Sequence, residues 1–222
     1  MKQSAVLLPI ALGLSMLFWQ EAGAQPTQIT GCGPISQSGA YELANNLTFT
    51  GNSGACLEIT ADFVTIDLAG FSISGSGIAG PTTAIEADNT TTGIAVRNGF
   101  ISGFAAGVNL GGANSIVEGL RVFVIGLVPN GIASIGIAVN GIIRGNTVLN
   151  FFGLIVGEGI GIAATGTVVG NFVGGLTGGS QSGNGEGIEI GQGSRAISHA
   201  PSHPAAGSRS PEYGDRQSRH TQ

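Results

Sequence analysis

A short phrase, a small residue followed by apolar-x-apolar, recurs six times along the chain and restricts how it can fold. The six copies are Leu57-Glu58-Ile59, Ile85-Glu86-Ala87, Val108-Asn109-Leu110, Ile137-Ala138-Val139, Ile162-Ala163-Ala164 and Ile188-Glu189-Ile190. Their start-to-start spacings are 28, 23, 29, 25 and 26 residues. Short strands at such intervals are typical of a β-solenoid, because each coil buries its apolar residues only by stacking on the next coil.

A second phrase runs out of phase with the first. It reads Val96-Arg97-Asn98-Gly99, Val117-Glu118-Gly119-Leu120, Ile143-Arg144-Gly145-Asn146 and Val168-Val169-Gly170-Asn171. Each coil therefore carries at least two short strands. The bends between them are supplied by glycine, which makes up 40 of the 222 residues and reaches positive φ without a Cβ clash. Collagen is excluded, because its three-residue period is missing.

The first 24 residues read as an export signal. Lys2 provides a positive charge, an apolar run extends from Ala5 to Trp19, and Ala22-Gly23-Ala24 fits a small-x-small cleavage site. We expect cleavage after Ala24 and a secreted or periplasmic mature protein. The apolar run is shorter than the roughly 20 residues of a membrane span, so we expect no span in the mature chain.

The two cysteines, Cys32 and Cys56, are the whole complement. In an exported chain an even count favours a disulfide, which would tie an N-terminal cap, residues 25–55, to the first coil of a solenoid body, residues 56–193. Two free thiols or a metal site are the alternatives. A metal site is disfavoured because no histidine precedes His199.

Composition changes sharply after Gly193. Residues 194–222 contain all three histidines and almost no branched aliphatic side chains, so they cannot bury enough apolar surface to offset the entropy of ordering, and we predict a disordered tail. A solenoid also needs a covered last coil, and nothing in this tail resembles a cap. The alternatives are a partner at that end, end-to-end self-association, or a chain that is a truncated or frame-shifted piece of a longer solenoid.

Charge excludes one class of partner. Between Gln25 and Gly193 the only basic residues are Arg97, Arg121 and Arg144, against ten acidic residues. Nucleic acid binding requires a basic surface, so we expect no nucleic acid partner.

The segment from Cys32 to Gly75 carries a family resemblance. Its motifs are Cys32-Gly33, Gly39-Ala40-Tyr41-Glu42-Leu43, Asn46-Leu47, Cys56-Leu57-Glu58-Ile59 and Val64-Thr65-Ile66-Asp67-Leu68-Ala69-Gly70. Together with the downstream Gly-Asn repeats, they resemble the secreted right-handed parallel β-helix proteins of the pectin-lyase-like and NosD-like kind, over residues 30–193. The resemblance implies an all-β fold, a right-handed parallel β-helix or single-stranded β-solenoid, of about six coils. That family contains lyases, hydrolases, epimerases and adhesins, so the fold alone does not assign an activity.

The family's best-known active-site patterns do not match this chain. The solenoid body has no histidine and no Asp-Asp pair, as polygalacturonase-like hydrolases would need, and it lacks the Tyr-Gly followed by Asp-Pro-His of alginate epimerases. A pectate-lyase-like site would have to recruit the scattered acids and the three arginines.

Stacking the second phrase predicts a charged column. Its middle positions are Asp67, Arg97, Glu118, Arg144 and Val169, about 4.8 Å apart. Alternating signs favour a structural ladder of ion pairs on an outward surface. The catalytic alternative makes Arg97 or Arg144 the base or sugar anchor of a lyase-like groove, with Asp67 and Glu118 beside them.

Stacking the first phrase predicts a second column. Its middle positions are Glu58, Glu86, Asn109, Ala138, Ala163 and Glu189. Glu58 and Glu86 would be like charges on neighbouring coils, which destabilises unless relieved. A calcium ion with Asp62 or Asp88 completing an oxygen-rich site would relieve it, and so would water and side-chain divergence. No other cofactor is expected.

Two further residue types have structural interpretations. Asn146, Asn150 and Asn171 are predicted to form ladders that hydrogen-bond the backbone at bends. Most of the phenylalanines are predicted to pack in the core, with one of an adjacent pair facing outward. These are Phe100, Phe104, Phe123, Phe151 and Phe152.

The leading functional hypothesis is a non-catalytic solenoid that presents flat surfaces to a carbohydrate or a protein partner. The alternative is a polysaccharide lyase or related enzyme that acts on acidic glycans. A net-acidic body repels acidic glycans unless calcium bridges them, which favours the first hypothesis.

Overall fold

A computed structural model of the chain describes residues 25–77, 80–123, 134–149, 159–175, 185–191 and 195–197. The predicted signal at 1–24, Asn150, Phe151, Phe152 and residues 198–222 of the predicted tail lie outside the described residues.

Every regular element in those ranges is a β-strand. The strands are β1 Thr27–Ile29, β2 Gly33–Ile35, β3 Gly39–Leu43, β4 Leu47–Phe49, β5 Gly54–Ile59, β6 Val64–Asp67, β7 Ser72–Gly75, β8 Thr82–Ala87, β9 Ala95–Ser102, β10 Ala106–Phe123, β11 Ser134–Arg144, β12 Thr147–Leu149, β13 Gly159–Val169, β14 Phe172–Gly174, β15 Gly185–Ile190 and β16 Arg195–Ile197.

The strands pair in parallel, and each coil contributes to three stacks. Stack A contains β2, β5, β8, the first parts of β10, β11 and β13, and β15. Stack B contains β1, β3, β6, the first part of β9, the later parts of β10, β11 and β13, and β16. Stack C contains β4, β7, the end of β9, the end of β10, β12 and β14. The predicted β-solenoid is confirmed.

Coils with segments in all three stacks begin at β2, β5, β8, β10, β11 and β13. They cover residues 33–49, 54–75, 82–102, 106–123, 134–149 and 159–174. Strands β1 to β4, within the predicted cap, pair with the next coil and are themselves part of the solenoid. Strand β16 continues stack B past the predicted boundary at Gly193, because Ala196 lies opposite Val168.

The core fills the space between the stacks with columns of aliphatic side chains. The buried columns are Leu57, Ile85, Val108, Ile137 and Ile162 in stack A, Ile66, Val96, Val117, Ile143 and Val168 in stack B, and Leu47, Ile73, Ile101, Val122 and Val148 in stack C. Burying each such side chain contributes about 1.5–3 kcal/mol. Since an exposed ion pair contributes about 0–1 kcal/mol, apolar stacking dominates the stability of the fold.

The small residue that opens the first phrase is required by close packing. A Cβ on Gly107 would lie 2.4 Å from the carbonyl oxygen of Gly136 on the next coil and 2.6 Å from Val122 Cγ1. The equivalent position in the two preceding coils is held by Cys56 and Ala84, which are fully buried. Only a small side chain fits between the strand and the core at this position.

Candidate functional site

The outward column of stack A matches the column predicted from the first phrase. Pairing places Glu58 beside Glu86, then Asn109, Ala138, Ala163 and finally Glu189. These six positions are therefore acidic at both ends and small or neutral in the middle, and Pro34 lies beside Glu58 on the first coil.

A shallow depression of about 320 Å³ lies over the middle and the later end of this column. We call it the stack A groove and define it by Asn109, Ala138, Asn140, Ala163, Thr165 and Glu189. It crosses three coil steps, about 14 Å at the usual strand spacing. The two alanines form its floor, because they carry no side chain beyond Cβ.

The polar groups of the stack A groove are available to a ligand. No hydrogen bond joins the side chain of Asn109, Asn140 or Thr165 to another residue in the described ranges. The amides and the hydroxyl each offer a donor and an acceptor, and Glu189 adds an exposed carboxylate. Such groups can bind hydroxyl-bearing ligands, but the set contains no pair of acid and base suited to bond cleavage.

The outward column of stack B also matches its prediction. Asp67, Arg97, Glu118, Arg144 and Val169 lie side by side on successive coils. Arg97 Nε donates to Asp67 Oδ2 at 2.9 Å, and Arg144 Nε donates to Glu118 Oε2 at 2.5 Å. The column therefore forms two separate ion pairs among the described residues, with no salt bridge between Arg97 and Glu118.

The Asp67 carboxylate is further held by its own turn. Its oxygens accept from the backbone N–H of Ala69 at 2.8 Å and from the side-chain amide of Asn98 at 3.2 and 3.3 Å. Asn98 has a φ of 59°, the left-handed conformation that asparagine tolerates better than most residues. With these partners and Arg97, Asp67 closes a turn between stacked coils.

The candidate lyase residues lie together, but they are engaged with one another. A depression of about 480 Å³ passes beside Glu118 and Arg144. A lyase base must be free to accept a proton from its substrate, whereas both Arg97 and Arg144 donate to a carboxylate. The arrangement can hold stacked strands together, while 45% of the Arg97 side chain and 54% of the Arg144 side chain remain exposed.

Two of the four calcium candidates, Asp62 and Asp88, are engaged in hydrogen bonds of their own. Glu58 and Glu86 are neighbours, as predicted. Asp62 Oδ1 accepts from the backbone N–H of Thr92 at 2.8 Å, and Asp88 Oδ1 accepts from both the hydroxyl and the backbone N–H of Thr90. Within the described part of the chain, no group of three or more histidine, cysteine or acidic side chains is placed to hold a metal ion.

Hydrogen bonding sets the acidity of Asp88. The Thr90 hydroxyl, and then the Thr90 backbone N–H, stabilise the charged carboxylate and lower the pKa of Asp88 below its ordinary value of 3.8. Asp88 is therefore ionised at neutral pH, with one oxygen committed to its turn.

Asn146 and Asn171 form the predicted ladder at the corner between stacks B and C. Asn146 Oδ1 accepts from Leu120 N–H at 2.9 Å, and Asn171 Oδ1 accepts from Asn146 N–H at 2.8 Å. Their amide groups donate to the carbonyls of Val117 and Ile143. Asn146 and Asn171 therefore hold the backbone of successive coils together at this corner.

The predicted disulfide joins neighbouring coils. Cys32, just before β2, is bonded to Cys56 in β5, with Cα atoms 4.7 Å apart. A disulfide is consistent with an extracellular protein. No described segment forms a helix that is long and apolar enough to cross a bilayer.

The outward column of stack C was not predicted as a site. Phe104 is buried as expected, but Phe100 is 38% exposed, because the register directs it outward. Arg121, Thr147 and the 60% exposed Phe172 follow on successive coils. The first phrase lies in stack A and gives no register for stack C. The stack C column could be found in the sequence only from the second phrase, by counting three residues past its middle position.

Comparisons with known proteins do not assign a function to any of these surfaces. Scans against protein-family models, curated proteins and solved structures found no match for this chain. The resemblance to pectin-lyase-like and NosD-like proteins therefore stays a prediction, and the architecture established here is that of a parallel β-solenoid.

Proposed function

We propose that this chain is an exported, non-catalytic solenoid that binds an extended carbohydrate in the stack A groove. The observation that carries the proposal is a set of polar side chains along a floor of alanines. Asn109, Asn140 and Thr165 have no side-chain hydrogen-bond partner among the described residues. Amide and hydroxyl groups at the coil spacing suit a ligand with repeated hydroxyl groups, and a shallow floor suits a chain that lies along the solenoid axis.

Carbohydrate is favoured over a protein partner by the composition of the groove. Protein interfaces are enriched in aromatic residues and methionine at their centres, and the stack A groove has neither. A polar, shallow surface also binds hydrated ligands through bridging water without a large apolar contact.

Binding should be measured by affinity electrophoresis of the full-length chain in a panel of soluble polysaccharides, neutral and uronate-containing. We expect retardation in at least one of them. Asn109→Ala with Asn140→Ala should weaken binding by about tenfold, since two hydrogen bonds contribute about 0.5–1.5 kcal/mol each.

A bulky residue on the floor provides the sharper comparison. Ala138→Trp should block the groove, whereas Ala40→Trp places the same ring on an exposed position of stack B and should leave binding intact. Equal binding by both tryptophan variants, or no retardation in any polysaccharide, would refute the proposal.

A lyase is the second candidate, and it is favoured by one observation: a depression beside Arg144 and Glu118. A lyase would form products with unsaturated ends. Incubating the chain with a uronate polymer and calcium should then produce new absorbance from those ends. Arg144→Gln would abolish that absorbance if Arg144 is the base, and would leave binding in the stack A groove unchanged.

A further inference from the structure

The outward surface of stack C changes from polar to apolar along the solenoid axis. Side chains alternate between core and solvent, so each strand of the stack presents two outward columns. The early coils supply hydroxyl groups from Thr48, Ser72, Ser74 and Ser102. The later part, which we call the stack C face, consists of Phe100, Arg121, Phe123, Thr147, Leu149 and Phe172.

The stack C face has the composition of a protein interface. Phe100 and Phe172 are exposed, and Phe123 and Leu149 are half-buried. A contiguous apolar surface of this kind marks an interaction site, because rings left in water contribute nothing to folding. Phenylalanine and arginine are both enriched in protein interfaces, and the stack A groove contains neither. The stack C face therefore fits a protein partner.

Arg121 is the charged group of this face, and it is held in place by an aromatic ring. Its Cζ lies over the Phe100 ring, 5.5 Å from the ring centroid. No hydrogen bond or ion pair links its guanidinium group to another residue in the described ranges, and the nearby Glu118 is paired with Arg144. A guanidinium group is planar and can stack on rings from both sides. A second ring is therefore a complementary occupant.

A two-fold axis that runs along the strands through Thr147 makes the stack C face complementary to itself. Such an axis reverses the order of the coils, so the coil before Thr147 lies opposite the coil after it. Arg121 then lies opposite Phe172 of a second copy, and Phe172 lies opposite Arg121 of that copy. The same contact is made twice.

The second outward column is compatible with this axis. Leu149 lies opposite Leu149 of the second copy, and Phe123 lies opposite Gly174. The Phe172 ring extends over Gly174, since a Cβ there would come within 3.2 Å of Phe172 Cε1. Phe123 therefore meets a ring where the opposite position has no side chain of its own.

Other alignments of two such faces bring like charges together. An axis parallel to the solenoid puts Arg121 directly against Arg121. An axis half a coil earlier leaves the two arginines one coil step apart, about 4.8 Å. With the axis at Thr147 they are two coil steps apart, about 10 Å, which is close to the Debye length at 0.1 M salt.

We propose that the stack C face joins two copies of this chain in a symmetric dimer, with each Arg121 between its own Phe100 ring and the Phe172 ring of the second copy. The proposal does not depend on carbohydrate binding, and the stack A groove lies on another side of the coil. The stack C face extends only about 14 Å along the solenoid axis. It is smaller than the roughly 800 Å² per partner of a standard interface, so the dimer is weak and reversible.

Sedimentation equilibrium of the full-length chain without glycan tests the proposal. We expect monomer at about 1 μM and a growing fraction of dimer towards about 500 μM, as suits an interface of this size. Phe172→Ala and Arg121→Gln should each weaken association by about tenfold, because the dimer contains each cation–π contact twice. Phe63→Ala and Arg144→Gln remove an exposed ring and an exposed arginine elsewhere, and both should leave association unchanged.

Charges introduced at the axis test the symmetry itself. Thr147→Arg and Thr147→Asp each place two like charges opposite each other, so each variant alone should stay monomeric. An equal mixture of the two variants should associate, because the charges on the axis are then opposite. Recovery in the mixture would also show that both variants are folded.

Three results would overturn the proposal. The first is a native chain that stays monomeric over the whole concentration range. The second is association that Phe172→Ala and Arg121→Gln leave unchanged, which would place the contact on another surface. The third is a mixture of Thr147→Arg and Thr147→Asp that stays monomeric.

Discussion

Asn146 shows how a single side chain fixes a corner of the solenoid. It is 1% exposed, and its Oδ1 is the acceptor for the buried Leu120 N–H. Asn146→Ala should destabilise by about 1–3 kcal/mol, because that N–H is left without its acceptor. Urea unfolding measures the difference, with the exposed Asn45→Ala as control. A loss no greater than that of the control would contradict the structural role assigned to Asn146.

Asp88 provides a pH-dependent contribution at the same scale. Since hydrogen bonds from Thr90 lower its pKa in the folded state, its stabilisation is present above the ordinary pKa of 3.8 and is lost as the pH falls through the folded value. Thr90→Val should raise the pKa of Asp88 towards 3.8. An NMR titration of the Asp88 carboxyl carbon measures both values, and an unchanged pKa in the variant would refute the assigned cause.

The positions of some residues could be predicted from the sequence, and the positions of others could not. The columns through Glu58 and through Arg97 were predictable, because a repeated phrase aligns its own middle positions once coils stack. The outward position of Phe100 was not, because a one-residue change of register moves a side chain from the core to the surface and the residue type favoured the core. The turn partners of Asp67 were also hidden, since Asn98 lies 31 residues away.

Strand β10 has a feature that the repeated phrases do not predict. The phrases predict separate short strands, whereas β10 runs through all three stacks, with a shift of register between Leu110 and Ser115 where it passes from stack A to stack B. Sequence periodicity counts residues per coil and does not report where one strand bends into the next. Bends of this kind depend on contacts between coils that are far apart in sequence.

The bend in the following coil depends on Gly141. A Cβ there would lie 1.9 Å from the carbonyl oxygen of Ser115, and φ is 159°, at the edge of the range that side chains rarely adopt. Gly141→Ala should therefore destabilise by about 3 kcal/mol or more, as severe overpacking does. The loss is read from the urea midpoint.

Substitutions of two other glycines serve as controls for the stability loss of Gly141→Ala. Gly145→Ala has free space around the new Cβ but a φ of 62°, so it should cost about 1–2 kcal/mol from backbone strain alone. Gly33→Ala meets neither obstacle and should be close to neutral. We expect the loss of stability to decrease in the order Gly141→Ala, Gly145→Ala, Gly33→Ala. If Gly141→Ala lost no more stability than Gly33→Ala, that result would contradict the close approach of coils.

For the whole molecule, the disulfide links the first two coils across a separation of 24 residues. Replacing both cysteines, Cys32→Ala with Cys56→Ala, should lower the free energy of unfolding by about 3 kcal/mol, since the cross-link restricts the unfolded chain. Reducing agent should lower the urea midpoint of the native chain and leave that of the double variant unchanged. If reducing agent left the urea midpoint of the native chain unchanged, the disulfide would not stabilise the fold.

The stacked architecture was predictable because repeats of 23 to 29 residues can bury their apolar positions in few other ways. The surface that we propose to bind a ligand was less predictable. The alanine floor of the stack A groove was visible as a column of small residues. That the side chains of Asn109 and Asn140 have no hydrogen-bond partner within the described part of the chain follows only from the three-dimensional structure. A sequence lists donors and acceptors without saying which of them are already used.

We propose that this solenoid binds a polysaccharide without cleaving it. The experiment is to incubate the full-length chain and calcium with the polysaccharide that retards the chain most in electrophoresis. The glycan is then recovered and its chain length is measured. We expect bound glycan to be recovered at its original length with no unsaturated ends. Shortened chains carrying unsaturated ends, lost in Arg144→Gln, would contradict it and identify a lyase.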